Sequence, residues 1–136
     1  MDNFKITDVA VEVNARTADG SENNLYGLIC RHQDDKNFYF FAISADGYYA
    51  IGKLKEGQII FLGSDTFQPS AQIQTGPAVN HLVATCISQT LSLSVNGKQL
   101  AQTTDSDFAD GVIGLIAGTF DDQTDVRFDN LLVTKP

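Results

Sequence analysis

The chain has 136 residues and a formal charge of −8. A surface this acidic argues against a nucleic-acid-binding protein, which needs basic groups to neutralise phosphates, and against adsorption to an anionic membrane. No apolar run approaches the roughly 18–20 residues of a membrane-spanning helix. The first residues show neither the basic nor the apolar region of a signal peptide. We therefore expect either a cytoplasmic protein or a domain excised from a longer one.

Two strands are predicted in the first quarter of the chain. In Asp8–Arg16, valine and alanine alternate with polar residues, which is the pattern of a half-buried strand. The polar, turn-rich stretch Thr17–Asn24 separates this strand from a second predicted strand, Leu25–His32.

Asn37–Lys53 carries the strongest structural signal in the sequence. Two aromatic and β-branched arms flank Asp46–Gly47, a dipeptide that is typical of a tight hairpin turn. Apolar residues occupy both faces of the first arm, because side chains alternate across a strand. We therefore expect the first arm to be a central strand that is covered on both sides.

The stretch after this hairpin is less regular. A short strand is predicted over Gln58–Leu62, followed by the irregular segment Gly63–Pro77, whose prolines cannot donate to a ladder. Within this segment we expect a loop at Asp65–Ser70 and a short edge strand at Ala71–Thr75.

Five further strands are predicted in the second half of the chain, each bounded by turn residues such as Asn96–Gly97. They are His81–Ser88, Thr90–Val95, Lys98–Thr103, Gly111–Gly118 and Asp125–Thr134. No segment shows a helical period, and strand signals recur about every 8–12 residues. The sequence therefore predicts an all-β, antiparallel, two-sheet sandwich or barrel that forms one domain over residues 1–136.

The two cysteines, Cys30 and Cys86, both fall in the middle of predicted strands. Two readings follow from the residues alone. The thiols could be buried and free, acting as small apolar groups, or they could form one disulfide in an oxidising compartment.

Four stretches that follow one another along the chain are together characteristic of a known group. They are YGLICRHQDDKNFYFFAISADGYYAIGK, HLVATCISQTLSLSVNGK, GVIGLIAGTF and VRFDNLLV. Together they resemble a bacterial jelly-roll domain of the concanavalin A-like lectin/glucanase superfamily. They are similar to laminin G-like modules and to the 3-keto-disaccharide hydrolase group. The resemblance covers about Asp8 to Thr134 and is specific for the fold rather than the ligand.

The resemblance implies a context for the chain. Such domains occur as extracytoplasmic parts of larger bacterial proteins, which favours the disulfide between Cys30 and Cys86. They usually begin with an extra N-terminal strand that this chain lacks. An uncovered strand edge pairs readily with another chain. We therefore expect either a homo-oligomer formed through an edge strand or a shortened version of a longer protein.

Catalytic and metal sites find little support in the sequence. The glucanases of the superfamily carry an E-x-D-x-x-E pattern on one strand, and this chain has none, so we expect no enzyme. Asp121, Asp122 and Asp125 are weak candidates for oxygen ligands to calcium. His32 and His81 stand apart from each other and from paired cysteines, which argues against a zinc site.

A sugar-binding face needs aromatic rings for stacking and polar groups for hydroxyls. Residues of one strand parity that fit this description are Arg31, Phe40, Tyr48, Thr85 and Ser94. The alternative is that the rings belong to the core or to cross-strand pairs.

The expected function is a non-catalytic binding or interaction module, with carbohydrate as the expected ligand, from a larger extracytoplasmic bacterial protein. A glycoside-acting enzyme of the keto-glycoside hydrolase type is the first alternative, and a structural or oligomerisation domain is the second.

Overall fold

The computed structural model of the protein describes residues 7–17, 24–75, 78–119 and 126–134. Eleven strands lie in these ranges, and no helix does. The strands are β1 (Val9–Thr17), β2 (Asn24–Asp34), β3 (Asn37–Ser44), β4 (Tyr48–Lys55), β5 (Gln58–Leu62), β6 (Gln68–Pro69), β7 (Asn80–Ile87), β8 (Thr90–Val95), β9 (Lys98–Thr104), β10 (Val112–Thr119) and β11 (Val126–Thr134). These ranges therefore contain no helix that could cross a membrane.

The strands form two antiparallel sheets, which confirms the predicted all-β sandwich. One sheet has five strands in the order β11-β1-β7-β8-β9. The other has six strands, with β10-β2-β3-β4-β5 in order and β6 paired with β4. We call these the five-stranded and the six-stranded sheet.

One prediction about the irregular segment is wrong. Ala71–Thr75 contains no strand, whereas the predicted loop contains the two-residue strand β6. This strand pairs with the start of β4, setting Pro69 opposite Tyr48 and Gln68 opposite Tyr49. A proline can occupy such an edge position because no ladder hydrogen bond is required of its nitrogen there.

The main core lies between the two sheets and is built from alternate residues. Val9, Val11, Val13 and Ala15 of β1 are all buried, as their alternation predicts. They meet the inward-facing residues of the opposite sheet, among which Phe41 has no exposed surface.

The first arm of the aromatic hairpin, β3, was expected to be covered on both sides. Its inner face lies in the main core, and its outer face is covered by side chains of the same sheet. Phe40 and Ala42 lie on the outer face of the six-stranded sheet, in a second buried cluster with Ile29. Neighbouring rings, including Phe61 and Phe67, pack around this cluster. The side chains of the same sheet therefore cover the arm, and no third layer is needed among the described residues.

A covalent bond joins the two sheets through their buried faces. Cys30 of β2 and Cys86 of β7 form a disulfide that links residues 56 positions apart in sequence. Both cysteines are buried in the main core. The bond therefore ties the middle strand of the five-stranded sheet to the strand next to the β10 edge of the six-stranded sheet.

The loop between β9 and β10 closes one end of the sandwich through a charged network. Lys53 of β4 forms ion pairs with Asp105 and Asp107, and its Nζ lies 2.9 Å from Asp105 Oδ1. The Tyr39 hydroxyl donates to Asp105 at 2.7 Å and accepts from the backbone N–H of Phe108 at 3.2 Å. These contacts anchor the loop over the interior.

The network shifts the pKa values of its members. Burial opposes ionisation of Asp105, but hydrogen bonds from Tyr39 and Lys53 outweigh it and hold the pKa of Asp105 below its usual value. Hydrogen bonds from Lys53 and Lys55 lower the pKa of the Asp107 carboxyl. Burial and the hydrogen bond to Asp105 raise the pKa of the Tyr39 hydroxyl. Both carboxylates are therefore ionised at neutral pH.

Replacing both cysteines, as Cys30→Ala with Cys86→Ala, should lower the free energy of unfolding by roughly 4 kcal/mol, since the disulfide closes a long loop in the unfolded chain. Urea denaturation of the variant and of the oxidised wild type measures this difference. Titration of the wild type in denaturant without reductant should find no free thiol. A difference below about 1 kcal/mol would contradict the assigned role of the bond.

The free energy of unfolding should fall in acid because of this network. A carboxyl whose pKa is depressed by folding contributes stability above its unfolded-state pKa of about 3.9. That contribution is lost as the pH falls through the lower, folded-state pKa. Lys53→Met should flatten the decline between about pH 4 and pH 2, as measured by denaturant unfolding at each pH.

Lys98→Met is the matched control for this experiment, because Lys98 is exposed and forms no ion pair with a described residue. It should retain the pH dependence of the wild type. Equal slopes for Lys53→Met and wild type would show that the network does not contribute to acid stability.

Candidate functional site

The five residues predicted for a sugar-binding face do not form one surface. Phe40 and Tyr48 lie on the outer face of the six-stranded sheet, as their cross-strand partners show. Thr85 and Ser94 lie on the outer face of the five-stranded sheet. Arg31 lies on neither outer face, because its side chain is buried.

Arg31 has a structural role, which corrects its assignment to a binding face. The ladder between β2 and β3 is interrupted after Cys30, and Arg31 has a positive φ of 53°. This irregularity breaks the alternation on which the prediction relied and turns the side chain inward. Only 2% of the residue is exposed.

The Arg31 guanidinium binds the carbonyl oxygens of several segments at one end of the sandwich. Its partners are the carbonyls of Thr7, Cys86, Ser88 and Phe108, together with the carboxylate of Asp8. Burial lowers the pKa of the guanidinium, although the group remains charged at neutral pH. Because carbonyl groups already occupy its N–H donors, Arg31 has no donor to offer a ligand.

The other four predicted residues are separated by the thickness of the sandwich. Phe40 is nearly buried among apolar neighbours. Tyr48 is exposed at the start of β4, beside the hairpin turn. Thr85 shares a hydroxyl hydrogen bond with Ser92, across the β7–β8 pair. No shared ligand could contact all four.

The candidate calcium ligands Asp121, Asp122 and Asp125 lie outside the described residues, so the calcium site stays a prediction. Within the ranges that the structure does describe, no group of three metal-ligating side chains converges.

The two histidines occupy separate places. His32 stacks on Phe38 with ring centroids 5.4 Å apart. The Nδ1 of His81 lies 2.7 Å from Asn14 Oδ1 on the outer face of the five-stranded sheet.

A polar cleft opens where the edge strands of the two sheets approach each other. On one side lie β4, the end of β5 and β6, and on the other side lies β9. The cleft has a volume of about 360 Å³. Its lining comprises Tyr49, Ala50, Ile51, Leu62, Gly63, Ser64, Gln68, Leu100, Ala101, Gln102 and Thr103. We call it the Tyr49 cleft.

Local geometry sets the shape of the Tyr49 cleft. Gly63 follows β5 with a φ of 84°, a conformation that L side chains rarely adopt. A Cβ added at Gly63 would lie 3.4 Å from the Cβ of Thr103, so the two sheets come close together at this point. The pairing of β6 with β4 then sets Gln68 beside Tyr49.

The lining combines one aromatic ring with uncharged polar groups. Tyr49 packs its half-buried ring against the main core. Gln68 donates weakly to the carbonyl of Thr66 at 3.3 Å. The side chain of Gln102, which lies opposite Ser92 and accepts from Gln99 at 3.0 Å, is on the outer face of the five-stranded sheet. No described residue forms a hydrogen bond with the hydroxyl of Tyr49 or Thr103. The cleft therefore presents donors and acceptors, but no charge, beside a ring.

Sequence reasoning missed this cleft because its residues come from three separate segments. Tyr49 falls in the hairpin, Ser64 and Gln68 in the irregular segment, and Gln102 and Thr103 in β9. No linear motif connects them, and only the closing of the sandwich brings them together. The one available signal was the polar run between Gly63 and Pro69, which looked like an ordinary loop.

Comparison with known proteins identifies the fold. No protein-family model and no curated protein matches the chain. Among solved structures, the carbohydrate-binding module CBM66 from Bacillus subtilis matches with a TM-score of 0.80 at 17% identity, covering 96% of this chain and 77% of that one.

Two other solved structures extend the comparison. Sheep galectin-11 matches with a TM-score of 0.67 at 14% identity, covering 95% of this chain and 91% of that one. The GH43 protein BlXynB from Bacillus licheniformis matches with a TM-score of 0.70 at 13% identity, covering 96% of this chain and 28% of that one. At these identities the likeness establishes the fold alone. The chain thus has the two-sheet jelly-roll sandwich that occurs in lectin-like proteins.

Proposed function

We propose that the chain is a non-catalytic carbohydrate-binding module and that a saccharide binds in the Tyr49 cleft. The observation that carries this proposal is the lining of the cleft, where the Tyr49 ring stands beside the Gln68 amide and the hydroxyls of Ser64 and Thr103. The names of two of the similar structures, a carbohydrate-binding module and a galectin, support the same ligand class.

The chemistry of the cleft suits a sugar. The apolar face of a pyranose or furanose ring stacks on an aromatic ring, and its hydroxyls need groups that both donate and accept. Gln68 supplies such a group, as do the hydroxyls of Thr103 and Tyr49, and the Ser64 hydroxyl, which donates to the carbonyl of Thr66 at 2.9 Å, supplies an acceptor. The volume of about 360 Å³ lies within the usual range for a small-molecule site.

The saccharide should be neutral. None of the described residues that line the cleft carries a charged side chain. The whole chain carries a formal charge of −8, which repels acidic glycans at a distance. Glycoside hydrolysis requires two carboxyl groups flanking the scissile bond, and the cleft lining contains none. These features favour binding over the keto-glycoside hydrolase alternative.

The wider context belongs to the same proposal. The chain is one jelly-roll domain of a larger extracytoplasmic bacterial protein, related to the laminin G-like or 3-keto-disaccharide hydrolase groups. The Cys30–Cys86 disulfide supports an oxidising compartment, since such bonds are rare in the cytosol.

Removing two polar groups of the cleft, as Gln68→Ala with Thr103→Val, should weaken saccharide binding about tenfold or more, because each lost hydrogen bond contributes roughly 0.5–1.5 kcal/mol. Isothermal titration calorimetry against a panel of neutral hexose and pentose oligosaccharides measures this. Uronate-containing oligosaccharides serve as the acidic comparison and should bind more weakly than neutral ones.

Gln58→Ala is the matched control, since Gln58 is an exposed glutamine on β5 that does not line the cleft. It should bind like the wild type. Failure of every saccharide to bind the wild type would overturn the carbohydrate proposal. Equal weakening by the control and the double variant would move the site away from the Tyr49 cleft.

A further inference from the structure

The outer edge of β10 is an unsatisfied strand edge within the described part of the chain. β10 occupies one end of the six-stranded sheet and pairs only with β2. Outward-pointing N–H and C=O groups of such an edge lack ladder partners, so the edge is a template for another strand.

β10 lacks the features that usually protect an edge strand. Its eight residues, Val112–Thr119, include no charge and no proline. After an irregularity at its start, its ladder with β2 is regular from Gly114 to Thr119. Charge, proline and short length are the common protections of edges.

The other three edges are better protected than β10. β5 has only five residues. β9 begins with Lys98, and β11 contains Arg127 and Asp129. β10 is therefore the longest uncharged edge that the described chain presents.

Exposed apolar side chains surround the same edge. β1 packs on β2, so β11 and β10 border the same side of the sandwich. Leu115 of β10 is 40% exposed, although its strand parity points it toward the interior. On β11, Leu131, Leu132 and Val133 are also exposed. An apolar strip thus flanks the unpaired backbone.

We propose that β10 pairs with β10 of a second copy, antiparallel about a two-fold axis, so that the six-stranded sheet continues from one copy into the other. In an isologous contact, residue i of one copy lies opposite residue j of the other and j lies opposite i, so that only residues at the two-fold axis meet their own copies. A strand without charge brings no like charges together in this arrangement. Each copy carries a formal charge of −8, and the two copies therefore repel each other. This repulsion weakens the dimer more at low salt, because fewer ions are present to screen it.

The size of the contact sets the expected affinity. A strip eight residues long spans about 27 Å, and two layers with their side chains are about 20 Å deep, giving roughly 540 Å² per copy. The total of about 1,100 Å² is at the small end of specific interfaces. The dimer should therefore be reversible in the micromolar range.

Such a dimer has a consequence that rests on the proposed function. The Tyr49 cleft lies on the β5 and β9 side, opposite to β10 and β11. Pairing through β10 would place the two clefts at opposite ends of a continuous sheet, about 50 Å apart. Each cleft of the dimer would bind one saccharide unit, so the dimer would gain avidity on a multivalent glycan.

Sedimentation equilibrium tests the dimer without any saccharide. Wild-type protein should shift from monomer to dimer over about 1–500 µM, more readily at high salt. Leu115→Lys, which sets two like charges beside the axis, should raise the dimer dissociation constant at least tenfold. Ile60→Lys is the matched control, because Ile60 is 39% exposed on the opposite edge strand. It should dimerise like the wild type.

Three results would overturn the dimer proposal. They are a monomeric wild type throughout the concentration range, equal effects of the two lysine variants, and slow exchange of β10 amides in monomeric wild type. Slow exchange of the β10 amides is measured by hydrogen exchange at low and high protein concentration. Slow exchange in the monomer would show that another part of the same chain covers the edge of β10. The proposal expects alternate β10 amides to slow only as the dimer forms, while β5 amides stay unchanged. None of these results depends on saccharide binding.

Discussion

Contact between two predominantly apolar inner faces is the interaction on which the rest of the molecule depends. Alternate residues of both sheets fill the main core, and Cys30–Cys86 joins the layers within it. An interior of this kind excludes polar chemistry, since an unpartnered polar group there is costly. Among the described residues, Arg31 and Lys53 are buried at one end, where carbonyl groups and carboxylates hold them. Asn80 is also fully buried and donates to the Tyr26 hydroxyl and to the Gln74 carbonyl. Ligand contacts are therefore confined to the faces and sides of the sandwich.

The strand pattern could be predicted because it depends on local chemistry. The alternation of apolar and polar residues in β1 predicts one buried face, which the structure has. The dipeptide Asp46–Gly47 predicts the turn of the central hairpin, where the N–H of Gly47 donates to the carbonyl of Ser44. Gln58–Leu62 is a strand over the predicted range. Arg31 was misassigned because parity holds only while a ladder is regular, and an irregularity in β2 reverses the direction of the side chain. The sequence carries no signal for that irregularity, since Gly111, which approaches Arg31 closely, is eighty positions away.

The candidate site could not be predicted, because it is a product of topology. Tyr49, Gln68 and Thr103 are ordinary residues in their own strands, and the meeting of β4, β6 and β9 makes them neighbours. Residues chosen by parity alone were divided between two outer faces. The same topology gives the two sides of the sandwich different properties. The side with β5 and β9 contains a polar cleft. The side with β10 and β11 exposes apolar side chains, and its edge strands have no further strand partner among the described residues.

Native-state hydrogen exchange across a denaturant series tests most directly whether the two sheets are one cooperative unit. The relevant amides lie in β2 and β3 of one sheet and in β7 and β8 of the other. If contact between the inner faces holds the fold together, the opening free energies of all four strands should converge on the global value. A sheet whose amides open well below that value while the other stays closed would contradict this account.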